Sequence, residues 1–296
     1  MVALIVGGYN GDRTLKYSEV FPISNHCDIP NLPKEINGQP SLILTYTEQV
    51  LLCGGYRNLK NCLILNSLEW SQHSTLIDER SFAAGVTLSS GIFLFGGYES
   101  NRTWEWLPTG SLSWRKGVSR IPFPGFADGC ATHVSGTKIV LIGGRHTERR
   151  ILMFDVDTGD MDEIGELNVG RIDHACTKFQ DEIVVSGGLT SSKKVFYSTE
   201  LINVRTGSAR VGPDMNYARR AHGLVVAHLK GLPTVFAVGG SYYDNDGRKR
   251  YLDSTELLDN HLQSWTMFED SLSERKYAFG YLSVPSHLVY MLKFKM

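Results

Sequence analysis

The chain has 296 residues, 42% of them hydrophobic and 21% charged, with a formal net charge of −1. That length supports a sizeable core, either two ordinary domains or one large all-β domain, and the near-zero charge gives no bulk attraction to nucleic acid or to a membrane surface. No apolar run reaches the roughly 20 residues of a membrane helix, and "MVALIV" lacks the basic flank and cleavage region of a signal peptide. The expected location is therefore cytoplasmic, with secretion an option only for a longer N-terminus.

The first predicted strand, 2–8, is an apolar run ending in Gly7-Gly8-Tyr9. The same phrase returns in strands at 50–55, 91–97, 138–144, 182–188 and 234–240, as "LLCGGYRN", "FLFGGYES", "VLIGGRHT", "VVSGGLTS" and "FAVGGSYY". The first glycines fall at 7, 54, 96, 143, 187 and 239, spaced 47, 42, 47, 44 and 52 residues apart. A period in that range is the signature of a repeat architecture. The apolar runs are too short for helices and fit strands buried on both faces.

Each unit carries further marks. Arginines open other strands: Arg80 in "RSFAAGVTL", Arg171 in "RIDHACTKF", Arg219 in "RRAHGLVVA" and Arg275 in "RKYAFGYLS". Gly38 and Ala127 stand at the corresponding place in two units. After the glycine pairs come alternating stretches such as "YSTELINV" and "DSTELLDN", then a turn, then Trp70, Trp114 or Trp265; Cys27-Asp28, Met161 and Ala209 hold that last place elsewhere. Four short strands per unit, with no amphipathic helix between them, repeated radially, make a β-propeller. The expected fold is all-β: one six-bladed propeller spanning 1–296, four antiparallel strands per blade. The glycines let crowded inner strands turn away at their ends, and the tryptophans cover the seams between blades.

Doubled glycine after an apolar strand, "STEL", a spaced tryptophan and an arginine resemble the kelch repeat over essentially the whole chain. The resemblance implies a ring closed by a C-terminal strand, here 275–284, beside the N-terminal ones. Closure removes the exposed sheet edges. The tail, 285–296, looks like a seventh glycine-pair strand with Met291-Leu292 in place of the glycines and has no place in a six-bladed ring.

The five cysteines, Cys27, Cys53, Cys62, Cys130 and Cys176, form no CxxC pair, which disfavours zinc. Their odd number in a large chain argues against a disulfide framework, so they read as small buried hydrophobes, with Cys53 and Cys62 as the one pair that neighbouring strands could bridge. "NRT" at Asn101 is an isolated glycosylation sequon. Neither a GxGxxG nor a GxxxxGK[ST] phosphate loop, neither HExxH nor GxSxG, occurs. The sialidase-type SxDxGxxW box is also missing, and no Tyr/His/Cys copper-oxidase constellation can be assembled. His174 and His222 share one repeat position and fit half-buried histidines better than a metal pair. No cofactor and no metal are expected, and the chain is not expected to be an enzyme.

Function should then lie on loops at one end of the ring. The segments after the glycine pairs, 9–16, 56–61, 98–103, 145–150, 189–194 and 241–252, hold thirteen basic and five acidic residues, a balance of +8, whereas the turn "DVDTGDMDE" at the other end is acidic. Tyrosines border the basic end: Tyr9, Tyr56, Tyr98, Tyr242 and Tyr243. Arginine forks and tyrosine rings suit an acidic peptide or acidic protein surface. In kelch-like substrate receptors the ligand face is similarly built, and the resemblance points to Tyr9, Tyr56, Tyr98, Arg145, Arg80, Ser81, Arg171, Arg219, Arg220 and Arg275. It implies a monomeric protein-binding scaffold or ubiquitin-ligase-type substrate adaptor. Sugar-binding enzymes like the kelch-type sialic acid mutarotases, and actin binders, are the alternatives.

Overall fold

In a computed structural model, residues 1–22, 29–66, 69–118, 121 and 125–293 are described. Cys27 and Asp28, at one expected tryptophan place, and the end of the tail fall outside them. Strands β1 (Val2–Val6) and β2 (Ser18–Phe21) open the chain. Four-stranded units follow: β3 (Ser41–Leu44), β4 (Val50–Cys53), β5 (Asn61–Leu65) and β6 (Trp70–Thr75); then β7 (Ala84–Leu88), β8 (Gly91–Phe95), β9 (Trp104–Pro108) and β10 (Arg115–Lys116). Next come β11 (Cys130–Ser135), β12 (Lys138–Ile142), β13 (Arg150–Asp155) and β14 (Met161–Glu166), then β15 (Ala175–Phe179), β16 (Glu182–Ser186), β17 (Thr199–Asn203) and β18 (Ala209–Val211). The last full unit is β19 (Gly223–Leu229), β20 (Leu232–Val238), β23 (Thr255–Leu258) and β24 (Trp265–Phe268), interrupted by a hairpin, β21 (Ser241–Tyr243) and β22 (Lys249–Tyr251). Strand β25 (Gly280–Val284) then pairs antiparallel with β1, Val2 opposite Val284 and Val6 opposite Gly280.

The result is a six-bladed β-propeller, with the first blade ordered β2-β1-β25 and the other five built of consecutive antiparallel strands. Each glycine-pair strand is the second of its blade and is almost wholly buried, because it packs on both faces. Six apolar clusters fill six seams, one between each pair of neighbouring blades. Trp70, Trp114 and Trp265 are buried in three of them, and each indole N–H donates into the preceding blade: to Pro30 O (2.9 Å), Ser74 Oγ (3.0 Å) and Thr199 Oγ1 (3.1 Å). Apolar rings with one satisfied donor are what such a seam requires.

The second glycine of each pair stitches one blade to the next. The Gly8, Gly55, Gly97, Gly144, Gly188 and Gly240 N–H groups donate to the carbonyls of Ile36, Arg80, Phe126, Arg171, Arg219 and Lys276 at 2.8–2.9 Å. Gly54 has φ +70°, and a Cβ there would lie 2.5 Å from the Arg80 carbonyl oxygen, so the first glycine is needed for both conformation and space. Two residues into each following segment the chain enters the left-handed region again, and these residues link in a circle. The N–H groups of Phe82, Asp128, Asp173, Ala221, Ala278 and Gln39 donate to the carbonyls of Gly38, Phe82, Asp128, Asp173, Ala221 and Ala278 (2.7–3.3 Å). This belt of six backbone hydrogen bonds surrounds the axis on the glycine-pair face.

Three expectations change. Residues Ser286–Lys293 form a helix, α1, rather than a seventh glycine-pair strand. It lies at the end opposite the glycine pairs, where Val289 joins the seam of the first two blades, Ser286 accepts from the Met1 amino group, and His287 meets Glu48 in the β3–β4 turn. The cysteines are not only buried hydrophobes: Cys53 bridges Cys62 across β4 and β5, and Cys130 bridges Cys176 between the innermost strands of neighbouring blades. The repeat register also shifts by one or two residues at three places. The positions equivalent to Arg80 are Ile36, Phe126 and Lys276, not Gly38, Ala127 and Arg275, because their carbonyls receive the glycine N–H.

Candidate functional site

The expected ligand face divides into an interior and a rim. Arg80, Arg171 and Arg219 are 1%, 1% and 0% exposed, so they are corrected from face residues to internal braces. Each guanidinium is fully engaged inside its own blade. Arg219 binds Glu256 Oε1 through Nε and Nη2 (3.1 and 3.0 Å), the carbonyls of Gly239 (2.7 Å) and Ser254 (2.9 Å), and Ser254 Oγ (3.0 Å). Arg171 repeats the set with Glu200, Gly187 and Ser198, and Arg80 with Glu105, Gly96 and Thr103. The fourth brace is Lys276 on Glu19. The "STEL" glutamate is therefore the partner of the repeat's cation, and it also accepts backbone N–H groups from the loop ahead, as Glu256 does from Asn216 and Tyr217.

In the two blades where the cation is Ile36 or Phe126, the glutamate place holds Leu63 or Leu152, both buried with it in one apolar cluster. The carbonyl of the first glycine is then taken by a side chain four residues on: Asn58 Nδ2 donates to Gly54 O (3.1 Å), and Thr147 Oγ1 to Gly143 O (2.6 Å). Charge, counter-charge and carbonyl donor are exchanged as a set, as expected where a buried ion and its partner must come and go together.

Ser81 is also interior, 3% exposed, with its N–H and Oγ donating to Glu99. Arg275 is exposed and pairs with Asp12 (3.0 Å). Tyr56 (59% exposed) and Tyr98 (44%) do reach the surface. The structure brings Tyr98 and Arg145 together: Arg145 Nη2 donates to the Tyr98 hydroxyl (2.9 Å) and to Asp128 Oδ2 (3.1 Å), the Tyr98 hydroxyl donates to the same carboxylate, and the guanidinium lies 5.4 Å from the ring centroid. The basic balance of the face is smaller than the loop segments alone imply. Arg13, Arg57, Arg145, Arg149 and Arg150 are paired with Glu274, Glu35, Asp128, Glu166 and Glu163, acids contributed by other segments.

At the centre of the face, the belt places two buried acids side by side. Asp173 is held by Arg220. Asp128 has its carboxyl pushed up to about 7, first by burial and then by the Asp173 charge, against the pull of Tyr98 and Arg145. Across the mouth the β21–β22 hairpin leans over the first blade. Tyr251 packs edge-on to Tyr9 (5.8 Å between centroids) and against Tyr277 (5.4 Å), with Tyr9 and Tyr277 also edge-on at 6.0 Å. Lys249 of β22 sits above this group, its Nζ 3.4 Å from the Tyr277 centroid. Arg220 reaches the Tyr243 hydroxyl at 3.4 Å. Sequence reading named none of Asp128, Asp173, Tyr251 and Tyr277, and counted Lys249 only within the basic balance of segment 241–252. The long stretch between the last glycine pair and its "STEL" glutamate, 16 residues from Gly240 to Glu256 against 12 from Gly188 to Glu200, is the sequence signal of the inserted hairpin that brings Lys249 and Tyr251 there.

Below the mouth, a cavity of about 230 Å³ runs along the axis, lined by Gln39, Ser41, Thr132, Thr177, Tyr281 and Ser283 among others. Burial raises the Tyr281 hydroxyl to about 12, so it remains protonated there. His174 and His222 lie inside the ring and are neutral: burial, then the neighbouring Arg171, lowers His174 to about 3, and burial with Arg219 lowers His222 as well. Among the described residues no group of three or more His, Cys, Asp or Glu is placed to hold a metal ion, and no helix is long and apolar enough to cross a membrane.

No protein-family model matches the chain, and no curated protein matches it. Among solved structures, one described as "Structure of YjhT" is similar with a TM-score of 0.70, covering 84% of this chain and 88% of that one at 14% identity. That neighbour is a propeller, and at this identity the likeness is one of fold.

Proposed function

We propose that this protein is a non-catalytic interaction module, a kelch-type propeller that binds an acidic peptide or acidic protein surface on its glycine-pair face. The observation that carries the reading is the exposed edge formed by Tyr56, Arg57, Tyr98 and Arg145. Tyr98 and Arg145 are fixed to one another and to a buried carboxylate, so an incoming acidic group meets a guanidinium already oriented. Pre-organised aromatic and arginine side chains lose little freedom on binding and are enriched at interface centres. The kelch-like register supports the reading further, since braces and seams occupy the interior and leave the post-glycine residues for recognition.

The test is a comparative affinity purification from the native cell. Partners recovered by the wild type should be lost on Tyr56→Ala/Tyr98→Ala and retained on Tyr46→Ala, an exposed tyrosine in the β3–β4 turn at the opposite end. Equal recovery by both variants would refute the assignment of the face.

A further inference from the structure

We propose that the β21–β22 hairpin completes a carboxylate-binding subsite at the mouth of the ring, in which the Lys249 ammonium receives an acidic side chain of the bound protein segment. The inference rests on the interaction-module reading above and names the chemistry of one contact within it.

The geometry is that of a cation held ready without an anion. Lys249 is half-buried, with Nζ 3.4 Å from the Tyr277 centroid and 5.1 Å from that of Tyr251. Its neighbours from every side are Tyr251 and Tyr243 of the hairpin, Tyr277 ahead of β25, Tyr9 after β1, and Arg220 and Asp173 from the axial segments. The two nearby carboxylates are already taken: Asp173 by Arg220, and the hairpin's own Asp244 by Arg250 at 2.7 Å. No ion pair found among the described residues includes Lys249. Burial and then the Arg220 charge lower its ammonium to about 8, against a smaller opposing pull from Asp173.

The charge balance selects the ligand. Arg145, Arg220 and Lys249 face Asp128 and Asp173, leaving one positive charge when both acids are ionised, which suits a monoanionic carboxylate better than a doubly charged phosphate. The Tyr277 and Tyr251 rings shield one side of the ammonium from water, which strengthens a contact made there.

Because a bound carboxylate favours the charged lysine, it must raise the lysine's titration midpoint, and binding must weaken as pH rises past the free protein's midpoint. The experiment is a lysine side-chain NMR titration of the full chain, with an acetylated and amidated hexaglutamate peptide as probe and hexaglutamine as control. Saturating hexaglutamate should move the Lys249 midpoint up by a unit or more, hexaglutamine should not, and hexaglutamate affinity should fall severalfold between pH 7 and 9.5. Lys249→Met should lose about tenfold in affinity at pH 7 and lose the pH dependence, whereas Lys249→Arg, charged throughout, should bind without the alkaline fall. Hexaglutamate binding that leaves the Lys249 midpoint unmoved would overturn the subsite while leaving the interaction face standing. No binding of hexaglutamate at all would overturn both. A midpoint moved by N-acetylneuraminic acid but not by hexaglutamate would overturn the protein segment as the source of the carboxylate.

Discussion

Replacing Arg219 and Glu256 singly and together separates a buried ion pair from the hydrocarbon pair that the same protein uses elsewhere. Both side chains are 0% exposed. Glu256→Leu leaves a guanidinium in the interior with no counter-charge, and Arg219→Ile leaves the carboxylate, so each single change should cost about 3–5 kcal/mol. The double variant imitates Ile36 with Leu63 and removes both charges. It does not imitate them fully, because the Gly239 and Ser254 carbonyls lose their guanidinium donors and the residue four beyond Gly239 is Tyr243, in the hairpin, rather than an asparagine or threonine. Ser254 O keeps the Gly239 N–H (3.1 Å), so Gly239 O is the carbonyl left without a donor, at about 1–3 kcal/mol, and the double variant should cost about 1–3 kcal/mol, well below the sum of the singles. Equilibrium urea unfolding followed by tryptophan fluorescence measures all three, and the coupling energy should be at least about 2 kcal/mol. Additive losses, agreeing within about 0.5 kcal/mol, would refute the claim that the two charges stand or fall together.

Three further outcomes follow from the same structure. Truncation after Glu274 removes β25 and exposes the edge of β1, so the shortened chain should elute as larger oligomers than the full chain on size-exclusion chromatography. Asp128, raised to about 7 from an ordinary 3.8, contributes stability that is fully present below pH 4 and lost as pH rises towards 7. His174, lowered to about 3, contributes stability that is present above pH 6.5 and lost as pH falls. The two windows oppose one another, so Asp128→Asn should make the melting temperature rise more steeply from pH 4 to 7 than in the wild type, and an unchanged slope would count against the buried acid pair. The Cys130–Cys176 bridge closes a separation of 46 residues and Cys53–Cys62 one of 9, about 4 against about 3 kcal/mol in the chain-entropy account. Cys130→Ala/Cys176→Ala should therefore lower the melting temperature more than Cys53→Ala/Cys62→Ala, by calorimetry under non-reducing conditions.

The sequence by itself determined the propeller. Six glycine pairs after six apolar runs require six crowded strand ends, and a period above 40 residues with four strand signals in each repeat leaves little else for the chain to build. It also determined the seams, since Trp70, Trp114 and Trp265 recur at one place and are large enough to cover them. What the tertiary structure decided is which cations face inward. Arg80, Arg171 and Arg219 look like ligand residues in the sequence, because their partners, Glu105, Glu200 and Glu256, lie 25–37 residues away and are recognised as partners only when the blade folds. The mouth is likewise a tertiary product. Asp128 and Asp173 become neighbours through the backbone belt, and Lys249 reaches Tyr277 only because an inserted hairpin leans from the sixth blade across the first. Periodicity along the chain fixes how strands stack, whereas the charge left over at the axis depends on which side chains converge there from segments far apart in sequence.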